Sequence, residues 1–415
     1  MKPAQALSRL LGSLWFRRMR VEGPALPEGP VLLLLNHPNA LLDPMVAAAL
    51  LPRTPRFVAK ATLWKQPVLR PFLALFRPIP VHRAQEGGDA DATARTFAAV
   101  HEALGQGDIV GLFPEGISHG MPDLAPLKTG AARLALACPG PVAVVPAGLV
   151  YGERRLFRRG ALLRVGEAIP FEDLRPGGLE PDNVRAFTAR IRGALKPLTL
   201  HGAEAERLKL AKHLAWLLAE APSAAADLEA LRARIQALLP RLEAMDEGEL
   251  RRLRRRVRAA QRWLRQHGLR PDQVGHPYPL SEVAAWVPRA ALRLLLAPLL
   301  LPCLLLFAPP VWIVARAVRA LAREVDMVAT TAILAGLLFL LAWTGLGAWL
   351  LHHEGWPWWL APLAWIPAYA GLRLGERLRE DLQAVRGFLA RRSQAAPRLL
   401  EARRMLLEAF PELGG

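Results

Sequence analysis

A histidine and an aspartate stand just beyond an apolar run near the start of the chain. Val31 to Leu35 is followed by Asn36-His37-Pro38-Asn39-Ala40-Leu41-Leu42-Asp43-Pro44, so a buried strand is expected to end in a loop carrying both side chains. A neutral imidazole can take a proton from an alcohol near pH 7, and a carboxylate on its other nitrogen fixes the tautomer and stabilises the imidazolium that forms. His37 is therefore a candidate general base and Asp43 its orienter. A second block, Leu112-Phe113-Pro114-Glu115-Gly116-Ile117-Ser118-His119, also follows an apolar stretch, Ile109 to Leu112. Ser118 lacks the G-x-S-x-G surroundings of a nucleophile elbow, so the pattern favours direct attack by an activated hydroxyl over a covalent intermediate on serine.

Together these blocks resemble the glycerolipid acyltransferase family, typified by lysophosphatidate and glycerol-3-phosphate acyltransferases, over about Val21 to Phe171. In that family an N-H-x4-D motif is followed by an arginine motif, an F-P-E-G motif and an apolar V-P motif. The same order holds here: Asn36-His37 to Asp43, Ile79-Pro80-Val81-His82-Arg83, Phe113-Pro114-Glu115-Gly116, and Val144-Val145-Pro146-Ala147. Phe57-Val58-Ala59-Lys60 and Leu63-Trp64 are similar to the family's connecting segment. Two departures stand out. Five residues separate His37 from Asp43 instead of four, an excess that a turn at Pro38-Asn39 can absorb, with Asn capping the helix that follows. Ile117-Ser118-His119 replaces the Thr-Arg of many members; with Asp123 and Pro126 to Gly130 it looks more like the glycerol-3-phosphate or dihydroxyacetone-phosphate branch.

The resemblance implies residue roles. His37, held by Asp43, deprotonates a glycerol hydroxyl that attacks an acyl thioester. Arg83 binds the acceptor phosphate, for which a planar guanidinium is suited. Glu115 and Gly116 shape the acceptor site, the carboxylate holding a glycerol hydroxyl or positioning Arg83. Lys128 and His119 are further candidates beside the phosphate, and Pro146 lines the acyl channel. Backbone N–H groups near Gly116 are candidate oxyanion donors. No resident cofactor is implied; acyl-CoA or acyl carrier protein is the donor substrate. No metal-binding or dinucleotide pattern is present, His352-His353-Glu354 being adjacent rather than at i, i+4 spacing.

The elements that must position these residues alternate. Short β-like runs (Val31 to Leu35, Ile109 to Phe113, Val142 to Val145, Ala161 to Val165) are interleaved with helix-like segments at Ala92 to Leu104, Thr129 to Ala137 and Asp182 to Leu195. The pattern predicts an α/β domain over 21–200, an acyltransferase-type mixed sheet flanked by helices, with the motifs where strands end. Residues 1–20 read as an amphipathic interfacial helix, with Leu7, Leu10, Leu11, Leu14 and Trp15 at helical spacing; packing against the catalytic domain is the alternative. A basic helical region follows over 201–290, a membrane domain over 291–380 and a helical tail over 381–415.

Of 415 residues, 54 are Lys or Arg and 36 Asp or Glu, an excess of 18 positive charges that implies an anionic partner. The arginines are not interleaved with base-stacking aromatics, which argues against nucleic acid, and the hydrophobic runs favour a phospholipid membrane. The run Arg251 to Arg258 is either a solvated helix face or a patch for anionic lipid. Two cysteines exclude a disulfide framework. Three hydrophobic segments, Leu294 to Ala315, Val328 to Leu351 and Trp356 to Leu372, predict C-terminal transmembrane helices. Arginines follow the first and third segments, which places both clusters in the cytoplasm, makes the second and third a hairpin, and requires the proline-rich first segment to enter and leave on one side if the catalytic domain is also cytoplasmic, so a re-entrant hairpin stands beside a plain span for it. The whole reads as an integral protein of the cytoplasmic membrane, its catalytic domain facing the cytoplasm, that acylates lysophosphatidate or glycerol 3-phosphate. The alternatives are a lipid-binding or scaffolding protein whose altered spacing has disabled catalysis, and an O-acyltransferase for a non-phosphate lipid alcohol.

Overall fold

The computed structural model describes residues 3–65, 69–81, 90–121, 123–152, 157–202, 204–219, 227–273, 276–321 and 327–392, with 397, 400, 401, 404 and 408 beyond them. The chain divides into two compact units, Met1–Gly202 with Glu324–Thr330, and Ala203–Arg323 with Thr331–Gly415.

The first unit is built on strands β1 (Arg18–Glu22), β2 (Val31–Leu35), β3 (Arg56–Lys60), β4 (Ile79–Val81), β5 (Ile109–Leu112), β6 (Ala143–Tyr151) and β7 (Gly160–Val165). They form one sheet in the order β1-β7-β6-β2-β5-β3-β4, parallel at every pairing except β6 with β7. All five residues of β2 are buried, which is why that strand is continuously apolar and does not alternate: both its faces are covered. On one side Leu32 and Leu34 join a core with α4 (Ala90–Gly105), α5 (Gly130–Leu136) and α6 (Pro181–Leu195). Outside that core, α2 (Leu42–Leu50) buries Leu42, Met45 and Val46, and the short α3 (Arg70–Phe76) buries Leu73.

Helix α1 (Pro3–Trp15) packs on α2, with Gln5 Nε2 donating to the Leu51 carbonyl at 2.7 Å and Arg9 Nε to that of Ala49 at 2.9 Å. Its buried face is Ala4, Gln5, Ser8, Gly12 and Trp15, so the small residues of the helix face the protein. Leu10 is 57% exposed. Of the apolar stripe, Trp15 is buried, Leu7, Leu11 and Leu14 are half-buried and Leu10 is exposed.

Among its described residues the second unit opens with the helices α7 (Ala205–Leu217), α8 (Leu228–Ala244) and α9 (Glu247–Gln266). α9 begins in a capping box: Asp246 accepts from the Glu249 N–H and Glu249 accepts from that of Asp246. Helix α10 then runs without a break from Leu280 to Leu321, 42 residues including Pro288, Pro298, Pro302, Pro309 and Pro310. At 1.5 Å per residue it is about 63 Å long, roughly twice a bilayer's hydrocarbon core. The helix is continuous across Leu294 to Ala315. After α11 (Met327–His353) come a turn, the short α12 (Leu360–Leu363) and α13 (Trp365–Arg391). The third hydrophobic segment is thus divided, and its helix continues into the charged stretch from Arg373 to Asp381.

Among the described residues three stretches, Leu280–Pro302, Leu304–Leu321 and Thr330–His353, are long and apolar enough to cross a membrane. Their side chains point outward: Leu295 is 73% and Leu299 72% exposed. Apolar surface on that scale needs an apolar surrounding, which fits membrane association.

In the first unit Phe187 is fully buried in α6 and stacks on Phe171 at 4.9 Å. Phe187→Ala is expected to destabilise this unit by about 3–5 kcal/mol, seen as a lowered midpoint in thermal or denaturant unfolding.

Candidate active site

β2 and β5 are parallel neighbours, with Leu34 opposite Leu112, so their carboxyl ends bring the loops after them side by side. Three hydrogen bonds join the loops. The His37 N–H donates to Glu115 Oε1 at 2.8 Å, the His119 N–H to the His37 carbonyl at 3.1 Å, and the Ala40 N–H to Ser118 Oγ at 2.9 Å. Asn36 pins the end of β2 to β6: its amide donates to the Leu149 carbonyl at 3.1 Å and accepts the Leu149 N–H at 2.7 Å.

His37 and Asp43 meet. His37 Nδ1 lies 2.8 Å from Asp43 Oδ2, and the Asp43 side chain is completely buried while that of His37 keeps 18% exposure. Asp43 Oδ2 also accepts the Asn39 N–H at 2.7 Å, and Oδ1 accepts the Tyr151 hydroxyl at 2.7 Å. Three donors thus replace the water that this carboxylate loses on burial, which a buried charge requires. With Nδ1 engaged by the carboxylate, Nε2 is the nitrogen left to exchange a proton with substrate. The imidazole lies flat on the Phe113 ring, 3.8 Å between centroids and 8° between planes, and Phe113 stacks in turn on Phe57.

The extra residue between His37 and Asp43 is taken up by Ala40, whose φ of 41° lies in the left-handed region. There the Leu42 N–H reaches back to the Asn39 carbonyl at 3.0 Å, and α2 starts with Asp43 in its first turn. The expected Asn39 cap is not formed. Leu41 occupies the capping position with no side-chain cap, and the buried Asn39 amide contributes through its backbone N–H instead.

The other expected site residues fall out differently. Glu115 is 2% exposed; Oε1 takes the His37 N–H, and Oε2 takes the Ala125 N–H at 2.7 Å and the His119 Nε2. Both oxygens are engaged, and Oε1 braces the His37 backbone. His119 Nδ1 accepts the Met121 N–H, which puts its proton on Nε2, facing Glu115. Gly116 has φ 69° and donates its N–H to the Phe113 carbonyl at 2.9 Å, so that N–H is not an open oxyanion donor. Lys128 is exposed and lays its stem over Gly116, where a Cβ would come within 2.8 Å of Lys128 Cδ and Cε. Arg83 lies outside the described residues. Pro146 is buried in β6 opposite Leu34.

Residues 10–150 match the family model described as Acyltransferase, a range that contains His37, Asp43, Arg83, Glu115, Gly116 and Lys128. The chain is similar to two curated Saccharomyces cerevisiae proteins. To glycerol-3-phosphate O-acyltransferase 2 it is 39% identical over 109 residues, 25% of this chain and 14% of that protein. To glycerol-3-phosphate O-acyltransferase 1 it is 37% identical over 78 residues, 18% of this chain and 10% of that protein. Similarity to acyltransferases is thus shown over 10–150, the stretch that carries His37 and Asp43. The chain matches only a small part of the length of these relatives. Among solved structures, the 1-acyl-sn-glycerophosphate acyltransferase from Thermotoga maritima matches over 46% of this chain and 76% of that one, at 18% identity and a TM-score of 0.36.

Tyr151 escapes sequence reasoning because it stands 108 positions beyond Asp43, at the end of β6, in no motif; only the fold brings the two together. In this acyltransferase domain Tyr151→Phe removes one donor from Asp43 without changing shape. About a tenfold lower kcat with KM little changed is expected in steady-state kinetics. Gly116→Ala forces a Cβ into left-handed backbone at a cost of about 1–2 kcal/mol and against Lys128. Adding Lys128→Ala should restore only the steric part of the lost thermal stability.

Proposed function

We propose that the chain is a membrane-bound O-acyltransferase of phospholipid biosynthesis, moving a fatty acyl group from an acyl thioester to a hydroxyl of a glycerol phosphate. The single observation that carries the reading is the 2.8 Å contact between His37 Nδ1 and a buried, fully engaged Asp43. His37 Nε2 takes the acceptor's hydroxyl proton as the oxygen attacks the thioester carbonyl. The tetrahedral oxyanion collapses, the carbon–sulfur bond breaks, and the imidazolium returns its proton to the departing thiolate. Asp43 holds the ring and balances its transient charge, and the stacked Phe113 fixes its plane.

Glycerol 3-phosphate is the first acceptor to test, since both yeast relatives are named for acylating it, and lysophosphatidate (1-acylglycerol-3-phosphate) is the second. Arg83 is the proposed phosphate ligand. The donor is acyl-CoA or acyl carrier protein, and the apolar helices supply the anchor, with the catalytic domain on the cytoplasmic side of the cytoplasmic membrane. A protein that has lost catalysis through the longer spacing would hold His37 and Asp43 apart; their hydrogen bond favours the enzyme.

The test is acyl transfer by the full chain in lipid nanodiscs, offering each acceptor separately. Transfer to a glycerol phosphate that falls at least about a thousandfold in His37→Ala is expected. Transfer to neither acceptor by folded protein, or equal transfer by the variant, would overturn the proposal. If the acceptor carries a phosphate, Arg83→Ala should raise its KM; an unchanged KM would point to a non-phosphate alcohol.

A further inference from the structure

Helix α9 carries a charge density that acyl transfer does not use. Leu250, Leu253, Val257 and Leu264 bury one face of it, and the opposite face exposes Arg251, Arg252, Arg255, Arg256, Arg258, Arg262 and Arg265. Among the described residues none of these seven pairs with a carboxylate; Arg252 and Arg265 donate only to backbone carbonyls of their own helix. Arg251 and Arg252 lie within the field of the Asp246 carboxylate at the helix start, but seven guanidinium groups along one helix still repel one another, and an anionic surface relieves that repulsion.

The fold says which anion is within reach. The end of α9 is tied to α13: Gly268 lies against the Arg386 guanidinium, and Gln273 Nε2 donates to the Gln383 carbonyl at 2.5 Å. α13 is in turn locked to α10 where Asp381 accepts the Trp286 indole N–H at 2.8 Å and Arg293 Nη1 at 2.5 Å. Beyond Arg293 the chain runs without a charge to Ala315. A Trp and an Arg at that border mark the depth of lipid headgroups. α9 is therefore fastened through a short link to the rim of an apolar helix.

We propose that the exposed arginine face of α9 docks on an anionic phospholipid surface, holding the second unit against the headgroup layer of the membrane its apolar helices enter. This rests on the membrane-bound reading above and is independent of the acceptor. Each basic residue at such a surface changes the docking equilibrium about fivefold, and the attraction fades as salt shortens the Debye length from about 10 Å at 0.1 M to about 3 Å at 1 M.

The test uses the full chain with Cys138→Ser, Cys303→Ser and a fluorophore on Ala259→Cys, an exposed position on α9. It is reconstituted into nanodiscs of phosphatidylcholine alone or with phosphatidylglycerol, each doped with a headgroup-spin-labelled lipid. Strong quenching in anionic discs is expected, weakened several-fold by high salt and lost in the combined variant R251Q, R252Q, R255Q, R258Q. Circular dichroism should show the variant still helical. Equal quenching in both disc types, or quenching that survives the four substitutions, would overturn the proposal. Protection of the probe by an acidic carrier protein, with no response to lipid charge, would assign the face to that protein instead. Failure of the chain to co-elute with discs would overturn the membrane-bound reading together with this inference, whereas co-elution without quenching would overturn this inference alone.

Discussion

The buried carboxylate of Asp43 is the constraint around which the first unit is organised. A full negative charge with no solvent exposure persists only where fixed donors replace water, and its three come from three places: the His37 ring, the Asn39 backbone and the Tyr151 hydroxyl. Supplying them requires β2 to end where it does, α2 to begin one turn later, and β6 to run its full nine residues so that Tyr151 arrives beside the pair. The parallel pairing of β2 with β5 then brings Glu115 under the His37 backbone. Burial that would cost several kcal/mol without these partners is what makes the imidazole's orientation unambiguous.

A second buried carboxylate repeats the logic. Glu115 takes donors from the first loop, from its own loop through His119, and from Ala125 downstream. One carboxylate therefore orients the imidazole side chain and the other its main chain. The residues Ile117-Ser118-His119, where the family often has Thr-Arg, are part of this arrangement: Ser118 accepts from Ala40, and His119 completes Glu115. The departure in one motif and the longer spacing in the other are thus joined by hydrogen bonds between the two loops.

Much of this was legible in the residues, and what was not has physical reasons. β2, β5, β6 and β7 are strands buried enough to leave apolar runs, whereas β1, at the sheet edge and reading Arg-Met-Arg-Val-Glu, and β4, three residues long, leave no such mark. Leucine spacing found helix α1, and close approach to α2 buries its small residues Ala4, Ser8 and Gly12. Prolines left α10 open between a span and a re-entrant hairpin, and the helix continues through them. His37 and Asp43 were visible through residue type and proximity. The roles of Tyr151 and Glu115 depend on contacts across 108 and 78 positions, which only the sheet order determines.

The central claim is that Asp43, as a charged acceptor, holds His37 as the base. Asp43→Asn tests it most directly, since the amide keeps the volume but presents a donor where His37 Nδ1–H needs an acceptor. The measurement is single-turnover acyl transfer by the reconstituted variant at saturating acceptor. The account predicts a rate about 10³–10⁴-fold below the parent with acceptor binding preserved. A rate within a few-fold of the parent, from folded protein, would contradict it.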